Sequence, residues 1–327
     1  LLIPVLLKAP ESEAKVYRGK CKSNLTWSYD SKTKTMVIDC KGDMPDDEQF
    51  YDLDMGWRKY YFKTKKVILK KGISSIGAGA FYNFQKLEEV VLPEGLRIIK
   101  YDAFDGCRKL QFINKPSTLE VIEKDVFWDV KIKSISLKNL KKLGSECFSG
   151  AKLQSVDIPA KCKIEDSVFW SCKKLKKVTF EKGVKRISYG MFRETGIKNI
   201  DIPGSVTQIG TYAFANCQSL KKAIINEGVK KISKDAFSNT ALKEITIPST
   251  VTKLGKNAFR WESTEKSSLK KVVIRSKNIK KWGTMVFGAT RDDLVIYVPK
   301  SKKAEYEKIL RSTNGLDFHA KIVGKKW

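Results

Sequence analysis

Six lysines, Lys133, Lys176, Lys198, Lys221, Lys243 and Lys270, occupy one recurring place in the chain, each directly after an apolar residue that opens a short alternating segment. Lys177, Lys222 and Lys271 stand beside three of them. Ammonium groups repeated at one place can meet a partner's repeated negative charge, as on a sulfated glycan or an acidic protein surface. The competing reading is that lysines keep exposed strands soluble and unpaired; Lys185, Arg186, Lys230 and Lys231 recur at another place. Trp128 and Trp170 each follow a recurring Phe. Their rings suit the anchoring of a partner chain or a sugar, or the covering of their own turns.

Other chemistry finds little support. His319 is the sole histidine, so a Ser/His/Asp or Cys/His arrangement would have to use it, and no Gly-x-Ser-x-Gly accompanies it. No Gly-rich phosphate loop and no Cys-x-x-Cys spacing occurs, which argues against nucleotide and zinc sites. Asp43, Asp46, Asp47 and Asp52 are hard oxygen donors, but their spacing does not follow the calcium-loop pattern. They read as a solvated acidic loop. No catalytic residue, metal or cofactor is expected.

The chain carries 64 Lys+Arg against 36 Asp+Glu, a formal net charge of +28, and only ten of the positive residues are Arg. Sequence-specific nucleic-acid reading favours the planar Arg fork, whereas Lys is a hydrated point charge. Nucleic acid is therefore a disfavoured partner, and diffuse anion attraction or solubility is preferred. Of the seven cysteines, Cys107, Cys172 and Cys217 share one place and read as small buried residues, as does Cys147. Cys21 and Cys40 flank two alternating segments and are either a disulfide pair in an oxidising compartment or two thiols.

What must position these groups is a period. Phe81, Phe104, Phe127, Phe148, Phe169, Phe192, Phe214, Phe237, Phe259 and Phe287 recur at intervals of 21 to 28 residues. Around them returns the frame Val-x-x-Ile-x-x-x-Ala-Phe-x-x-Cys-x-x-Leu-x-x-Val-x-Ile-Pro, cleanest from Val206 to Leu220. A fixed period in the twenties marks a repeat solenoid, whose units bury their apolar faces against one another. The Leu-x-x-Val-x-Ile segment alternates as a strand does, and prolines 93, 159, 203 and 248 end it. Successive strands stack in parallel at roughly 4.8 Å, which would turn the lysines into a stripe.

Three parts are expected. Residues 1–65 form an N-terminal cap, a β-hairpin over Leu25–Tyr29 and Thr35–Asp39 plus the acidic loop. Residues 66–299 form about ten solenoid units, and residues 300–327 a C-terminal cap with a helix over Lys300–Arg311 and a last strand at Ile322–Val323. Arg260–Ser268 bulges from its coil. The apolar start, Leu1–Leu7, suits the tail of a secretory signal or a strand covering the first unit. No stretch approaches transmembrane length.

The frame, together with Leu25-Thr-Trp-Ser-Tyr29 and Ile296-Tyr-Val-Pro-Lys300 at the ends, resembles the BspA-like, or Treponema-type, leucine-rich-repeat family. That resemblance implies a right-handed leucine-rich-repeat superhelix with a parallel strand face, secreted or on the cell surface, mediating adhesion or binding to an extracellular or host protein. The family has no shared catalytic residues, and Phe84 and Val130 stand here where its frame has Cys. An acidic glycan bound along the lysine stripe is the alternative.

Overall fold

The computed structural model describes residues 14–21, 24–47, 55–261, 267–289, 291–313, 316 and 319–327. Asp52, the start at Leu1–Leu7 and most of the Arg260–Ser268 bulge lie outside them.

The chain winds as a parallel-strand solenoid, as the period requires. Its first side is built from the Val/Ile segments, for example Lys177–Phe180 on Ser155–Ile158 and Lys222–Ile225 on Asn199–Ile202, each pair parallel and in register. Its second side is a ladder of two-residue strands, such as Arg186–Ile187, Gln208–Ile209, Lys231–Ile232, Lys253–Leu254 and Lys281–Trp282, again all parallel. A third ladder needs no strand. The Phe81 N–H donates to the carbonyl of Ala103 at 2.9 Å, that of Phe104 to Val126 at 3.1 Å, and so on to Phe259, which donates to Val286 at 2.8 Å. Each repeat Phe thus hangs on the residue just before the next one.

The ten rings form one column through the core. Neighbouring centroids lie 5.1 to 6.0 Å apart and within 18° of parallel, an offset stack with every ring buried. The turn carrying each ring has left-handed backbone two residues before it and, for nine of the ten rings, two residues after it. Asp102, Asp125, Ser167, Asp235 and Asn257 fill the first kind of place and Asn83, Asp129, Ser171 and Asn216 the second, with φ of 52° to 60°. Small polar residues adopt this conformation at least cost after glycine, which also appears there, at Gly79, Gly106 and Gly190. Cys107, Cys172 and Cys217 are fully buried beneath the turn, and their thiols donate to the carbonyls of Phe81, Phe148 and Phe192 at 3.0 to 3.2 Å.

At the N-terminus the expected hairpin is the second half of a three-stranded meander, β1 (Val16–Cys21), β2 (Leu25–Asp30) and β3 (Thr35–Cys40). β3 then pairs in parallel with Lys66–Leu69 and begins the first side. Of the two readings of Cys21 and Cys40, a disulfide pair or two thiols, this order favours the thiols. Both residues are aligned with Leu25, from opposite sides of β2, so two strand spacings, roughly 9.6 Å, separate their backbones. A disulfide needs less than about 7 Å between Cα atoms, and none is formed.

The described part of the acidic segment, residues 42–47, is tied to its neighbours rather than solvated throughout. Asp47 is buried in an ion pair with Arg58 at 3.2 Å. Asp46 takes Lys100 Nζ on both oxygens at 2.9 Å, and Asp43 accepts from Ser74 Oγ at 2.6 Å. This segment passes so close to the first coil that a Cβ on Gly77 would collide with the Pro45 carbonyl. At the other end α1 (Lys303–Thr313) begins three residues later than expected, after a 3-10 turn at Lys300–Lys302. It buries Tyr306 and Leu310, and the Tyr306 hydroxyl donates to Ser276 O at 3.2 Å. The final strand is Lys321–Lys325. Among the described residues no helix is long and apolar enough to cross a membrane.

Candidate functional site

The strand register places the nine lysines on the first side, and all nine are exposed. Ser155 faces Lys177, Asn199 faces Lys222 and Glu244 faces Lys271 in adjacent coils. The backbone N–H of Lys221 donates to Lys198 O and that of Lys270 to Lys243 O, both at 2.8 Å, which fixes those pairs as next neighbours. Among the described residues only Lys271 of the nine forms an ion pair, with Glu244 at 3.1 Å.

Five of the nine converge. Lys221, Lys222, Lys243, Lys270 and Lys271 line a groove of about 750 Å³ together with Arg275. Its floor is apolar in part: Ile224 is 41% exposed, and Pro248 lies beside it. Lys133, Lys176, Lys177 and Lys198 lie on the same side but outside the groove. Between them the surface carries acids, Asp157 hydrogen-bonded with Thr179 and Asp201 with Asn226 at 2.6 Å. The stripe is therefore a cluster plus outliers, because the outward positions two residues further along each strand were not all basic.

Trp128 and Trp170 lie in one row on the Phe-bearing turns, with the coil of Ser149 between them, so roughly 10 Å separates their backbones. They differ in availability. Trp128 is 41% exposed. Trp170 is half-buried beneath the Arg193 guanidinium, 5.7 Å from its ring, which also sits 5.5 Å from Tyr212. Tyr189 meets Tyr212 edge-on at 5.6 Å, so the row ends in a packed aromatic and cationic cluster. This cluster has one signal in the sequence: Arg193 stands where Trp170 stands one coil earlier.

The same row holds an unusual carboxylate. Asp105 lies in the coil between those of Tyr82 and Trp128, and partial burial, with Asp102 and Asp125 nearby, pushes its carboxyl up to about 7. Burial also raises the thiols, Cys172 to about 12 and Cys217 to about 11, which leaves them protonated and unreactive at neutral pH. Among the described residues no cluster of three or more His, Cys, Asp or Glu is arranged to hold a metal.

The chain matches the model of the BspA-type leucine-rich repeat region over residues 59–176 and 143–266, in six copies. Among solved structures, a leucine-rich repeat protein from Bacteroides ovatus is 24% identical with a TM-score of 0.66, over 84% of this chain and 70% of that one. A leucine-rich repeat protein from Eubacterium ventriosum is 20% identical with a TM-score of 0.60, over 86% and 84%. No curated protein matches the sequence. At these identities the two structures speak for the fold.

Proposed function

The chain belongs to the BspA-type leucine-rich-repeat family, and from that premise we propose that it is a non-enzymatic secreted or cell-surface protein that binds an acidic segment of an extracellular or host protein. The observation that carries this reading is the groove of Lys221, Lys222, Lys243, Lys270, Lys271 and Arg275 around the exposed Ile224. Six cations against two carboxylates, Glu227 and Glu244, around a partly apolar floor suit a partner that offers carboxylates and one apolar side chain. Rim charges set approach rate and register, while the desolvated centre holds the partner in place.

A sulfated glycan on this same side is the second reading, supported by the run of Lys176, Lys177 and Lys198 beyond the groove. Asp157 and Asp201 interrupt that run, which favours a discrete protein partner over a long uniform polyanion here. Binding of the intact chain to cells and purified matrix proteins, compared with Lys221→Glu/Lys243→Glu/Lys270→Glu and with Ile224→Asp, tests the reading. Loss of binding in both variants supports it. Undiminished binding in both, with the fold kept, refutes it.

A further inference from the structure

The second side of the solenoid carries a different basic surface. Its short strands place Arg186, Gln208, Lys231, Lys253 and Lys281 directly opposite one another in successive coils, a single row with one neutral member. Roughly 4.8 Å separates neighbours, so the row is about 19 Å long. Lys185, Lys230 and Lys280 precede three of its members and are exposed, as are the four cations of the row.

Like charges directly opposite on adjacent strands repel. The earlier coils, whose short strands form a separate sheet on the same side, relieve that repulsion. There Glu120 lies between Arg97 and Lys141, at 3.2 and 2.8 Å, and Glu165 takes Lys142 and Lys163, at 3.3 and 3.5 Å. From Arg186 onward Thr207, Gln208 and Thr252 stand in the ladder where a glutamate would serve. Glu227, in the adjoining turn, is held by Ser249 and Thr250 at 2.8 to 3.2 Å. Among the described residues none of the seven cations on this ladder forms an ion pair. The coil tolerates acids on this side, and its later half leaves them out.

We propose that this row is a binding site for a linear sulfated polysaccharide, lying lengthwise along the solenoid and separate from the strand-side groove. A polymer with sulfates along its length supplies the counter-charges the row lacks. Six of the seven cations are Lys, which as point charges suit freely turning sulfates better than bidentate phosphate or base recognition. Single-stranded nucleic acid would need stacking rings along the row, and Trp282, next to Lys281, is packed edge-on against Tyr306 at 5.1 Å.

The test measures the Kd of fluorescein-labelled heparin oligosaccharide for the intact chain at several salt concentrations. Two triple variants carry the same change in net charge: Lys231→Glu/Lys253→Glu/Lys281→Glu on this side and Lys221→Glu/Lys243→Glu/Lys270→Glu on the other. The expected result is at least a tenfold loss at low salt in the first variant, with the slope of log Kd against log salt reduced by about three, and less than threefold loss in the second. Circular dichroism establishes that both variants fold, and a Lys→Gln triple at the first three positions must reproduce the loss. Equal losses on the two sides, absence of heparin binding, or tighter binding of single-stranded DNA than of heparin would each overturn the proposal.

Discussion

Trp57 Nε1 donates to the carbonyl of Ala80 at 3.1 Å, and that carbonyl is the counterpart of those that receive a repeat Phe N–H in every later coil. The first coil has no coil before it, so its acceptors are met by the cap instead. Asp47 N–H reaches Ala78 O at 2.8 Å, and Arg58 reaches Gly79 O at 3.1 Å and Tyr82 O at 3.3 Å. The cap thus imitates one rung of the backbone ladder with two side chains and a loop.

The substitution Trp57→Phe keeps an aromatic ring but removes the donor and part of the bulk, and is expected to lower stability by about 1–3 kcal/mol, from a buried acceptor left unmet and a small cavity. Arg58→Ala leaves Asp47 buried without its counter-ion and should lower it by about 3–5 kcal/mol. In Arg58→Ala/Asp47→Ala much of that loss should return. Urea titration of the parent, Arg58→Ala, Asp47→Ala and the double variant reads the coupling directly; additive losses would contradict the arrangement.

Asp105 gives the protein a pH dependence of definite sign. Its folded carboxyl titrates near 7, above its ordinary 3.8, so between those values the folded state binds a proton that the unfolded state has released. Stability contributed by the neutral form is therefore present at acid pH and lost as pH rises through about 7. Arg108 opposes the shift, and Asp102 and Asp125 reinforce it. With partial exposure discounted, Asp105→Asn should gain on the order of 1–2 kcal/mol over the parent at pH 8. It should gain almost nothing at pH 4. Thermal melts across that range show whether the gain follows the expected curve.

Left-handed turns set a third expectation. Ser171 holds φ of 56° two residues after Phe169. A β-branched residue there is strained, so Ser171→Val is expected to cost about 1–3 kcal/mol, while Ser171→Gly should be neutral or better. Denaturant midpoints for the pair test this, and a Val variant as stable as the Gly variant would remove the argument.

Lys253 lies between Lys231 and Lys281 in register. Lys253→Glu should raise stability by a few tenths to about 1 kcal/mol at low salt, as like-charge opposition turns into attraction. The gain should shrink at high salt through screening. Melting temperatures at two ionic strengths give the answer.

The fold was legible because the buried residues repeat: Phe, Leu and Val/Ile return at fixed offsets, and each offset has one orientation in the coil. The strand-side lysines were legible for the same reason, since Lys221, Lys243 and Lys270 share a register with buried neighbours. Asp157 and Asp201 escaped notice because they share no place with the lysines, and only stacking brings them beside the stripe. The row from Arg186 to Lys281 is legible in part: Lys185, Arg186, Lys230 and Lys231 recur visibly, and Lys253 and Lys281 sit in the same frame as Lys231. The Asp47–Arg58 pair is not legible, because the two residues are 11 positions apart and nothing in a local pattern says that one will neutralise the other. Cys21 and Cys40 look adjacent until β1 is known to lie on the far side of β2.

A column of phenylalanines one ring wide makes length the only free dimension of this core. Excising residues 193–214, from just after Phe192 through Phe214, would remove one storey and leave the cross-section of every other coil as it was. Arg186 would then stand next to Lys231 with Gln208 gone, and the strand side would lose Lys198. Loss or duplication of a single coil therefore edits both outer faces together, so a lineage can rewrite the spacing of its charges without touching the hydrophobic interior.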